Sequence, residues 1–555
     1  MTRLNSKAHN LCAKIERRRS LKRDTFPKYF EDIIPLGRGY VSNEIGDEWQ
    51  EWTSDRAVII NCPTGSGKNT FIEDTIVRSA IYTGKTVLIC SNRVALDVAV
   101  KRRICEKLRI YKDFNDTALH ELHDYGNISI YSYQSLSAAL NDKKFDEQEF
   151  DYTIFDEVHY FATDAMFSSG TGLLLYKIPK RFRRSIRIYM SATIDEIKPY
   201  IYDAECSQGA VIASQLIDNI DFPLPRLYTM KADFSKIKLK FYTDDADTEE
   251  IIKNSIHKSI LFVDSKAYGR SLHESFTDSL YMDSDTKASD PEVISGIISK
   301  EKFSQKLLIT TAVFENGCNI KDSDVKNIFI QEINPSSILQ MAGRRRLYLP
   351  SDSFDLYLKI PNPETLSLRI CKYDDLANLI DLSKDDPTAF MRWIVKRGRL
   401  FSDIQKIVYA YNGKYCFDPL TEEMIKSNRN YAYKIKNLIE AEGIHAYCQK
   451  ISHELFGIEF SPDMLISSDQ DNVDDISDYL ESFVNKEIGI DEMRMVFQRF
   501  KDWYTKTFGP SKSDNRGKER RSINYTLFNN RLQEYNMPFI WTKSQNMYRL
   551  RKTMS

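Results

Sequence analysis

The stretch NCPTGSGKNT, residues 61–70, decides how this sequence is interpreted. It follows the apolar run AVII (57–60) and leads into a helical pattern, NTFIEDTIV (69–77). Glycines between a strand and a helix allow backbone N–H groups to point at an anion, and the helix dipole adds to the attraction. The pattern predicts a phosphate-binding loop in which the lysine reaches terminal phosphates. Its residues are Thr64, Gly65, Ser66, Gly67, Lys68, Asn69 and Thr70.

The residue after the lysine departs from the usual pattern. Ser or Thr normally stands there because its hydroxyl ligates Mg²⁺, but this chain has Asn69, and Thr70 follows one position later. The Asn69 side-chain carbonyl is a neutral hard oxygen that Mg²⁺ accepts, whereas Thr70 is rotated by about 100° around the helix. We expect a working but modified site with weaker Mg²⁺ affinity. The pattern leaves open which of the two residues ligates the metal.

Composition restricts the class of protein. The chain has 555 residues, 42% of them hydrophobic and 28% charged, with a formal net charge of −1, as in ordinary soluble multidomain proteins. Its nine scattered cysteines include no C-x-x-C pair, which argues against a disulfide framework or a zinc knuckle and favours a reducing cytoplasm. No apolar run approaches the ~18 residues that span a bilayer, and the N-terminus lacks a signal-peptide core. We therefore expect a cytoplasmic protein with no membrane partner.

Alternation of short apolar runs with longer helical patterns predicts an α/β fold with two tandem parallel-sheet domains. AVIINC, TVLICS, ISIYSY, YTIFDE and IRIYMS form the first series, and KIKLKFYT, SILFVDS, LLITTA and NIFIQEI form the second, with a proline-rich hinge predicted at DFPLPRL (221–227). The predicted domains are a basic N-terminal arm at 1–40, parallel-sheet domains at 41–225 and 226–360, a helical region with an acidic linker at 361–490, and a basic module at 491–555.

The tail shows the strongest charge asymmetry. Residues 461–492 hold ten acidic residues and one lysine, whereas residues 494–555 hold fourteen Lys and Arg and four acidic residues. The first stretch is typical of a solvated linker or helix. The second has the order helix, basic loop, helix and hairpin, with the hairpin turning at 544–546, and this order is typical of a winged helix that binds nucleic acid. A basic helical cap is the alternative. Predicted contacts there are Arg520, Arg521, Asn524, Asn529, Arg531, Lys543, Arg549 and Arg551.

An acidic pair follows the predicted strand YTIF (152–155). Asp156 and Glu157 would lie at the carboxyl end of that strand, where α/β sheets bind ligands. The first carboxylate is suited to holding Mg²⁺, and the second to orienting and deprotonating an attacking water. Loop and acidic pair together predict a site that hydrolyses a nucleotide.

With DEVH at 156–159, residues 41–350 resemble a superfamily 2 helicase of the DExH (DEAD/DEAH-like) type. CPTGSGKN is similar to motif I of that family, SNRVALD to motif Ia, YSYQSL to the next nucleic-acid motif and SAT (191–193) to motif III. In the second domain ILFVDS, TTAVFENGCNI and QMAGRRR resemble motifs IV, V and VI. The resemblance implies two RecA-like domains that close on ATP, with Mg²⁺, and on a nucleic-acid strand.

The resemblance also implies roles. By this resemblance, the residues that carry out hydrolysis are Lys68, Asp156 and Glu157. The residues that couple hydrolysis to movement are His159, Ser191, Ala192 and Thr193. In motif VI, Gln340, Gly343 and Arg344 match the family pattern, which implies catalytic roles for Gln340 and Arg344, but Leu347 replaces its final arginine. Arg345 or Arg346 would then be the arginine that contacts the γ-phosphate, and we favour Arg346. Implied nucleotide contacts in motif V are Gly317 and Asn319. Implied nucleic-acid contacts are Ser91, Asn92, Arg93, Tyr133, Gln134, Ser135, Thr310 and Thr311.

Three functions fit these features. The first is an ATP-dependent helicase or translocase, acting on DNA in preference to RNA. The second is a nucleotide-gated DNA-binding protein of the origin-recognition or loader type, and the third is the motor subunit of a restriction or anti-phage system that needs a separate nuclease. A protein partner could also bind residues 361–490.

Overall fold

The computed structural model describes most of the chain. The described residues are 32–92, 101–106, 119, 121–142, 145, 148–213, 225–289, 296–297, 300–312, 319–347, 351–396, 404, 406–411, 414–466, 476–477, 479–508, 528–529, 532, 539–544 and 547–552. The chain divides into two compact units, one of Met1–Phe241 with Ile252–Met464 and one of Tyr242–Ile251 with Leu465–Ser555.

The first sheet lies in the first unit and has the strand order β1-β8-β2-β7-β6-β3-β5-β4. Its strands are β1 (Ile33–Pro35), β2 (Val58–Asn61), β3 (Val87–Ser91), β4 (Asp124–Tyr125), β5 (Ile128–Ser132), β6 (Tyr152–Phe155), β7 (Ile186–Ser191) and β8 (Arg226–Thr229). The pairs are parallel except for β4 with β5, which is antiparallel. The predicted parallel sheet is therefore confirmed.

Neighbouring residues on the central strands point to opposite faces of this sheet and both faces are buried. On β6, Ile154 enters one apolar core and Phe155 the other, and Ile188 and Tyr189 divide in the same way on β7. A strand with two covered faces needs apolar residues at consecutive positions, which explains why these strands appear as continuous apolar runs.

The second sheet has, within the first unit, the order β11-β12-β10-β13-β14-β9. Its strands are β9 (Ile237–Tyr242), β10 (Lys258–Phe262), β11 (Ser279–Met282), β12 (Leu307–Thr310), β13 (Val325–Ile330) and β14 (Phe354–Lys359). Strands β10 to β14 pair in parallel. The fold is α/β with two tandem RecA-like domains, named here the first and second RecA-like domains after the two sheets.

The α-helices complete the list of elements. They are α1 (Val41–Ile45), α2 (Lys68–Thr70), α3 (Arg78–Thr83), α4 (Tyr133–Asn141), α5 (Tyr160–Asp164), α6 (Thr171–Arg181), α7 (Lys198–Ala213), α8 (Asp245–Asn254), α9 (Lys266–Ser275), α10 (Ser284–Ser289), α11 (Pro335–Ala342), α12 (Pro363–Asp385), α13 (Pro387–Lys396), α14 (Pro419–Glu442), α15 (Ile444–Ile451) and α16 (Ile490–Phe508). A π-helix, Phe71–Val77, joins α2 to α3, another spans Ser452–Phe456, and 3₁₀ helices span Glu48–Glu51 and Pro462–Met464.

The predicted hinge at 221–227 is wrong at its C-terminal end. Arg226 and Leu227 belong to β8, which lies between β1 and β2 and is paired in parallel with both. The first sheet also recruits β1 from the segment predicted to be a free basic arm. The link between the two sheets therefore lies after Thr229, between β8 and β9, while residues 221–224 fall outside the described part of the chain.

The region from α12 to α15 is helical as predicted, with one antiparallel hairpin, β15 (Val408–Tyr411) and β16 (Lys414–Phe417), that the sequence did not indicate. Asp418 anchors this region to the first RecA-like domain. Its Oδ1 accepts a hydrogen bond from the N–H of Leu420 at the start of α14 (2.9 Å), and its Oδ2 accepts one from the N–H of Leu173 in α6 (3.1 Å). Asp418 is fully buried, so one carboxylate satisfies the first turns of two helices.

The second unit has its own core, formed by α16 and a three-stranded antiparallel sheet in the order β18-β20-β19. The strands are β18 (Glu487–Ile488), β19 (Phe539–Ser544) and β20 (Met547–Lys552), and β17 (Leu465–Ile466) also falls in this unit. The pairing of Ser544 with Met547 confirms the predicted hairpin. The acidic stretch is not wholly a solvated linker, because Ile476, Leu480 and Ile488 are buried in this core.

The predicted contacts of the tail are only partly placed. Arg520, Arg521 and Arg531, with most of the predicted second helix, lie outside the described residues. Asn529, a further predicted contact, exchanges two hydrogen bonds with the backbone of Trp541 (2.8 and 2.7 Å) and so fixes the hairpin. Lys543 and Arg551 are exposed.

No helix in the described part of the chain is long and apolar enough to cross a membrane.

Candidate ATP-hydrolysis site

The phosphate-binding loop follows β2 and ends at α2. Gly65 and Gly67 adopt left-handed backbone angles, with φ of 87° and 86°, which glycine adopts without steric cost. The two conformations turn the chain so that Lys68 begins a helix at the carboxyl end of a central strand. This is the backbone shape that the NCPTGSGKNT stretch predicts.

Lys68 lies inside the loop. Its Nζ donates hydrogen bonds to the carbonyl oxygens of Cys62 (2.6 Å) and Pro63 (3.1 Å). Burial lowers the pKa of Lys68, and the carboxylates of Glu157 and Asp156 partly restore it. The hydroxyl oxygen of Ser66 is also buried, and it has no hydrogen-bond partner among the described residues. A buried ammonium and an unpaired hydroxyl within a glycine cradle fit an anionic ligand.

The acidic pair follows β6 directly. Asp156 and Glu157 are half-buried, and the Oδ1 of Asp156 accepts a hydrogen bond from the N–H of Glu157 (2.9 Å). Glu157 has a φ of 53°, a left-handed conformation that costs a non-glycine residue about 1 kcal/mol or more. This backbone turn presents the Glu157 carboxylate to the site while the Asp156 carboxylate stays beside it.

His159 joins the acidic pair to the segment after β7. It is buried, and its Nδ1 lies 3.1 Å from the Oγ of Ser191 and 3.3 Å from the Oε2 of Glu157. The Oγ of Ser191 also accepts a hydrogen bond from the N–H of Thr193 (3.0 Å), across the half-buried Ala192. His159 therefore contacts both the end of β7 and the residue that follows the end of β6 by two positions.

Gln340 connects Thr193 to the second RecA-like domain. It lies on α11, is fully buried, and its Nε2 donates a hydrogen bond to the Oγ1 of Thr193 (3.0 Å). Arg344 is also buried and donates to the Oε1 and backbone oxygen of Gln340 (2.6 and 2.9 Å). Both residues were predicted to be catalytic, and the structure places them in the contact between the domains.

Arg346 lies beside the phosphate-binding loop. Its Nη1 is 3.6 Å from the position that a Cβ on Gly65 would occupy, and its Nε donates to the Oδ1 of Asn319 (2.8 Å). Burial and the nearby charge of Arg344 lower the pKa of Arg346 to about 10, although the carboxylates of Glu157 and Glu301 oppose this shift. The guanidinium is therefore charged at neutral pH. Gly317, the other predicted contact of this segment, lies outside the described residues.

Arg345 has different surroundings. Its Nη2 lies 2.5 Å from the Oδ2 of Asp352, both side chains are wholly buried, and Lys326 also contacts this carboxylate at 3.2 Å. Its Nε and Nη1 donate to the backbone oxygens of Val325 and Arg346. These contacts tie Arg345 to the core of the second RecA-like domain.

The metal-binding prediction can be compared with the donors present. Asn69 and Thr70 are both exposed at the start of α2, and no cluster of three or more His, Cys, Asp or Glu side chains suited to a metal occurs among the described residues. A nucleotide-bound Mg²⁺ needs few protein ligands, because phosphate oxygens and waters fill most of its shell. Asp156 with one hard oxygen from α2 fits that requirement.

Three predicted nucleic-acid contacts have buried side chains. Tyr133 stacks on Tyr160 at 4.7 Å and donates to the backbone oxygen of Asp156 (2.7 Å). Thr310 donates to the backbone oxygen of Met282 (3.0 Å), and Ser91 is also buried. Among the remaining predicted contacts, the side chains of Asn92, Gln134, Ser135 and Thr311 are exposed or half-buried. Arg93 lies outside the described residues.

Tyr40 is a residue beside the site that the sequence did not indicate. Its ring is 62% exposed, and its Cδ1 lies 2.9 Å from the position of a Cβ on Gly67. The carboxylate of Glu44 accepts hydrogen bonds from the N–H groups of Gly37 and Gly39 (2.8 and 3.0 Å), which braces the loop that holds the ring. The G-x-G-Y order was the available signal, and it places an exposed aromatic surface beside the phosphate-binding loop.

The part of the chain that holds the phosphate-binding loop and the acidic pair is similar to one known family. Residues 22–196 match the family described as Type III restriction enzyme, res subunit. No curated protein sequence matches the chain significantly. Among solved structures, S. cerevisiae Dbp5 bound to RNA and ADP BeF3 is 14% identical, with a TM-score of 0.35, and the match covers 64% of this chain and 85% of Dbp5. A Dbp5 variant with the same ligands is 15% identical, with a TM-score of 0.39 over 56% of this chain and 81% of that one.

The family match covers the phosphate-binding loop, the DEVH sequence and the SAT segment, and the second sheet supplies the QMAGRRR segment that meets them. Residues 22–196, which hold the phosphate-binding loop, the DEVH sequence and the SAT segment, are therefore similar to the res subunit of Type III restriction enzymes.

Proposed function

We propose that the protein is a nucleic-acid-stimulated ATPase that couples hydrolysis to movement along a strand, with DNA as the preferred polymer. One observation carries this proposal: Arg346 of the second RecA-like domain lies 3.6 Å from the Cβ position of Gly65 in the phosphate-binding loop of the first. A charge supplied by one domain to the nucleotide site of the other makes hydrolysis depend on closure of the two domains.

The roles follow from where the side chains lie. ATP with Mg²⁺ supplies the phosphoryl group and neutralises part of its charge. The glycine cradle and Lys68 hold the phosphates, and Asp156 with Asn69 holds the metal. Glu157 orients a water and takes its proton, and Arg346 donates to the charge that develops on the transferring group. Tyr40 offers its exposed ring to the nucleotide base by stacking.

Binding of nucleic acid is proposed at two places. Asn92, Gln134, Ser135 and Thr311 follow strands of the two sheets and can donate to a sugar–phosphate backbone, which gives little sequence preference. The basic module at 491–555 is proposed to be a winged helix that binds a duplex. The match to a restriction-enzyme subunit supports DNA over RNA, and the seven described cysteines, all in the thiol form, support a cytoplasmic location.

The same family match favours a second candidate function, the motor subunit of a restriction or anti-phage system. Such a subunit would move on DNA and would need a separate nuclease for cleavage. Addition of that nuclease to the purified motor would produce ATP-dependent DNA cleavage, whereas an autonomous helicase would separate strands alone.

ATP hydrolysis by the wild type and by the Lys68→Ala and Glu157→Gln variants tests the proposal. The wild type should hydrolyse ATP faster with one of single-stranded DNA, duplex DNA or RNA, and the stimulating polymer names the substrate. Glu157→Gln should lower kcat by about 100-fold because the water loses its general base. Lys68→Ala should abolish hydrolysis because the phosphates lose their ammonium contact.

Glu51→Gln, which alters an exposed carboxylate at the end of a short 3₁₀ helix, is the matched control and should hydrolyse ATP as the wild type does. If the wild type binds DNA but hydrolyses no ATP with any polymer, the motor proposal fails. A nucleotide-gated binding protein of the origin-recognition or loader type would then be favoured, especially if a salt-sensitive footprint appears on one duplex sequence.

Asn69→Thr should tighten Mg²⁺ binding. A threonine hydroxyl directly after the lysine restores the usual metal ligand, so the Mg²⁺ concentration that half-saturates hydrolysis should fall roughly threefold, about 0.6 kcal/mol. A magnesium titration at saturating ATP measures this. Thr70→Ala is the comparison: if it weakens Mg²⁺ binding more than Asn69→Ala does, Thr70 is the ligand and the assignment to Asn69 is wrong.

A further inference from the structure

Arg369 joins the helical region to the second RecA-like domain. It lies in the first third of α12, and its guanidinium contacts two carboxylates that follow strands of the second sheet. Nη1 lies 3.3 Å from the Oε1 of Glu332, after β13, and Nη2 lies 3.2 Å from the Oδ2 of Asp264, after β10. Burial opposes the charge of Arg369, but Glu332 and Asp264 outweigh it and raise its pKa. The side chain is 25% exposed.

Glu332 connects Arg369 to the turn that begins α11. The same Oε1 accepts hydrogen bonds from the N–H groups of Ile333 (2.6 Å) and Asn334 (3.2 Å). Asn334 is the N-cap of α11, because its Oδ1 accepts from the N–H of Ser337 (3.0 Å). One carboxylate oxygen, held by Arg369, therefore helps to fix the direction in which α11 leaves the sheet.

Side chains at both ends of α11 contact the first RecA-like domain. The Nδ2 of Asn334 donates to the Oε1 of Glu196 (2.7 Å), and the Nε2 of Gln340 donates to the Oγ1 of Thr193 (3.0 Å). Residues 193–196 follow β7, whose last residue, Ser191, contacts His159 of the hydrolysis site. Polar contacts thus connect Arg369, through Glu332 and α11, to Thr193 and to Ser191 beside His159.

The other end of the helical region is held by the first RecA-like domain. Leu420 and Met424 of α14 lie in an apolar core of the first sheet, beside the buried Asp418. Thr421 donates to the backbone oxygen of Ala165 (2.6 Å). Attachment to the first domain is buried and apolar, whereas the ion pairs of Arg369 are partly exposed. Partly exposed ion pairs are much weaker than a buried apolar contact, so the Arg369 ion pairs are weaker than the attachment to the first domain.

We propose that Arg369 is a positioning residue for ATP hydrolysis. It holds Glu332 so that α11 presents Gln340 to Thr193 and carries Arg346 to the phosphate-binding loop. The helical region, fixed to the first domain, thereby completes the hydrolysis site when it engages the second. This inference rests on the proposed ATPase activity and adds a residue that contacts neither nucleotide nor nucleic acid.

The test compares Arg369→Ala, Arg369→Lys and Arg429→Ala in steady-state ATP hydrolysis with the stimulating polymer, alongside thermal melting. Arg429 on α14 pairs with Asp374 on α12 and so removes an ion pair of the same kind inside the helical region. Arg369→Ala should lower kcat about tenfold with KM for ATP unchanged, because misplaced catalytic groups slow the reaction without weakening ground-state binding. Arg369→Lys should restore most of the rate, and Arg429→Ala should match the wild type.

Several outcomes overturn the inference. Wild-type kcat in Arg369→Ala is one, and a raised KM with unchanged kcat, which signals a role in ATP binding, is another. Equal losses of rate and melting temperature in Arg369→Ala and Arg429→Ala would indicate a structural role only. If Arg369→Ala melts well below the wild type, Arg369→Lys decides: a wild-type melt with kcat between wild type and background supports positioning, and full kcat overturns it. Absence of hydrolysis in the wild type would reject the proposed function itself.

Discussion

Arg346→Ala is expected to lower kcat for ATP hydrolysis by about 10³-fold, the loss typical of an arginine that stabilises phosphoryl transfer. The guanidinium sits beside Gly65, and it is charged at neutral pH because its pKa is about 10. Its donors would act on charge that forms only in the transition state, so KM for ATP should stay nearly unchanged. Steady-state hydrolysis over a range of ATP concentrations measures both constants.

Arg346→Lys is the matched variant, because it keeps the charge but loses the planar fork of donors. It should recover only a small part of the rate. A kcat for Arg346→Ala within a few-fold of the wild type would show that another residue supplies the charge, and Arg344, now bonded to Gln340, would become the first candidate.

Arg345→Ala is expected to destabilise the second RecA-like domain by about 3 kcal/mol. Removal of one partner from a buried ion pair leaves the other charge without compensation, a loss of about 3 to 5 kcal/mol. The lower figure applies because Lys326 remains 3.2 Å from Asp352. Thermal melting followed by circular dichroism should show an earlier transition than in the wild type or in Arg346→Ala.

The two arginine variants can be separated cleanly. Below its melting transition, Arg345→Ala should hydrolyse ATP much faster than Arg346→Ala, although the backbone oxygen that Arg345 supports belongs to Arg346 and some rate is lost. A stable Arg345→Ala protein with no hydrolysis would reverse the assignment. Arg345 would then be the contact to the phosphate, and its pairing with Asp352 would be a resting arrangement.

The central strands were predictable because both faces of the sheets are covered. Consecutive apolar residues such as Ile154 and Phe155 are a local signal, and local signals survive without a partner sequence. The edge and late strands were not predictable in this way. Strand β8 follows Pro225 closely, and proline is typical of loops, yet the pairing that makes Arg226–Thr229 a strand involves β1 and β2, far away in sequence.

The residues of the candidate site likewise include some that the sequence predicts and some that it does not. Motif order identified the residues of the phosphate-binding loop and the acidic pair, whereas burial of Tyr133 depends on Tyr160 and on the backbone of Asp156, which the motif does not contain. Arg345 and Arg346 are adjacent, so no pattern separates them; their surroundings, Asp352 for one and Asn319 for the other, come from the tertiary fold.

Polar contacts between residues far apart in the chain could not be predicted from the sequence. Asp418 meets the N–H of Leu173 across 245 positions, and Arg369 meets Asp264 across 105. A charged residue on a helix is usually solvated, so neither residue differs locally from many others in the chain.

The π-helix at Phe71–Val77 bears on the irregular loop that precedes it. Each residue added to an α-helix turns all later side chains by about 100°, whereas a π-turn spends one extra residue within a single turn. Ile76, Val77 and Ala80, which lie in and after this wider turn, face the core. The position of Lys68 relative to these core residues therefore differs by one residue from that in a regular α-helix, so the π-turn sets how the phosphate-binding loop is aligned with the sheet.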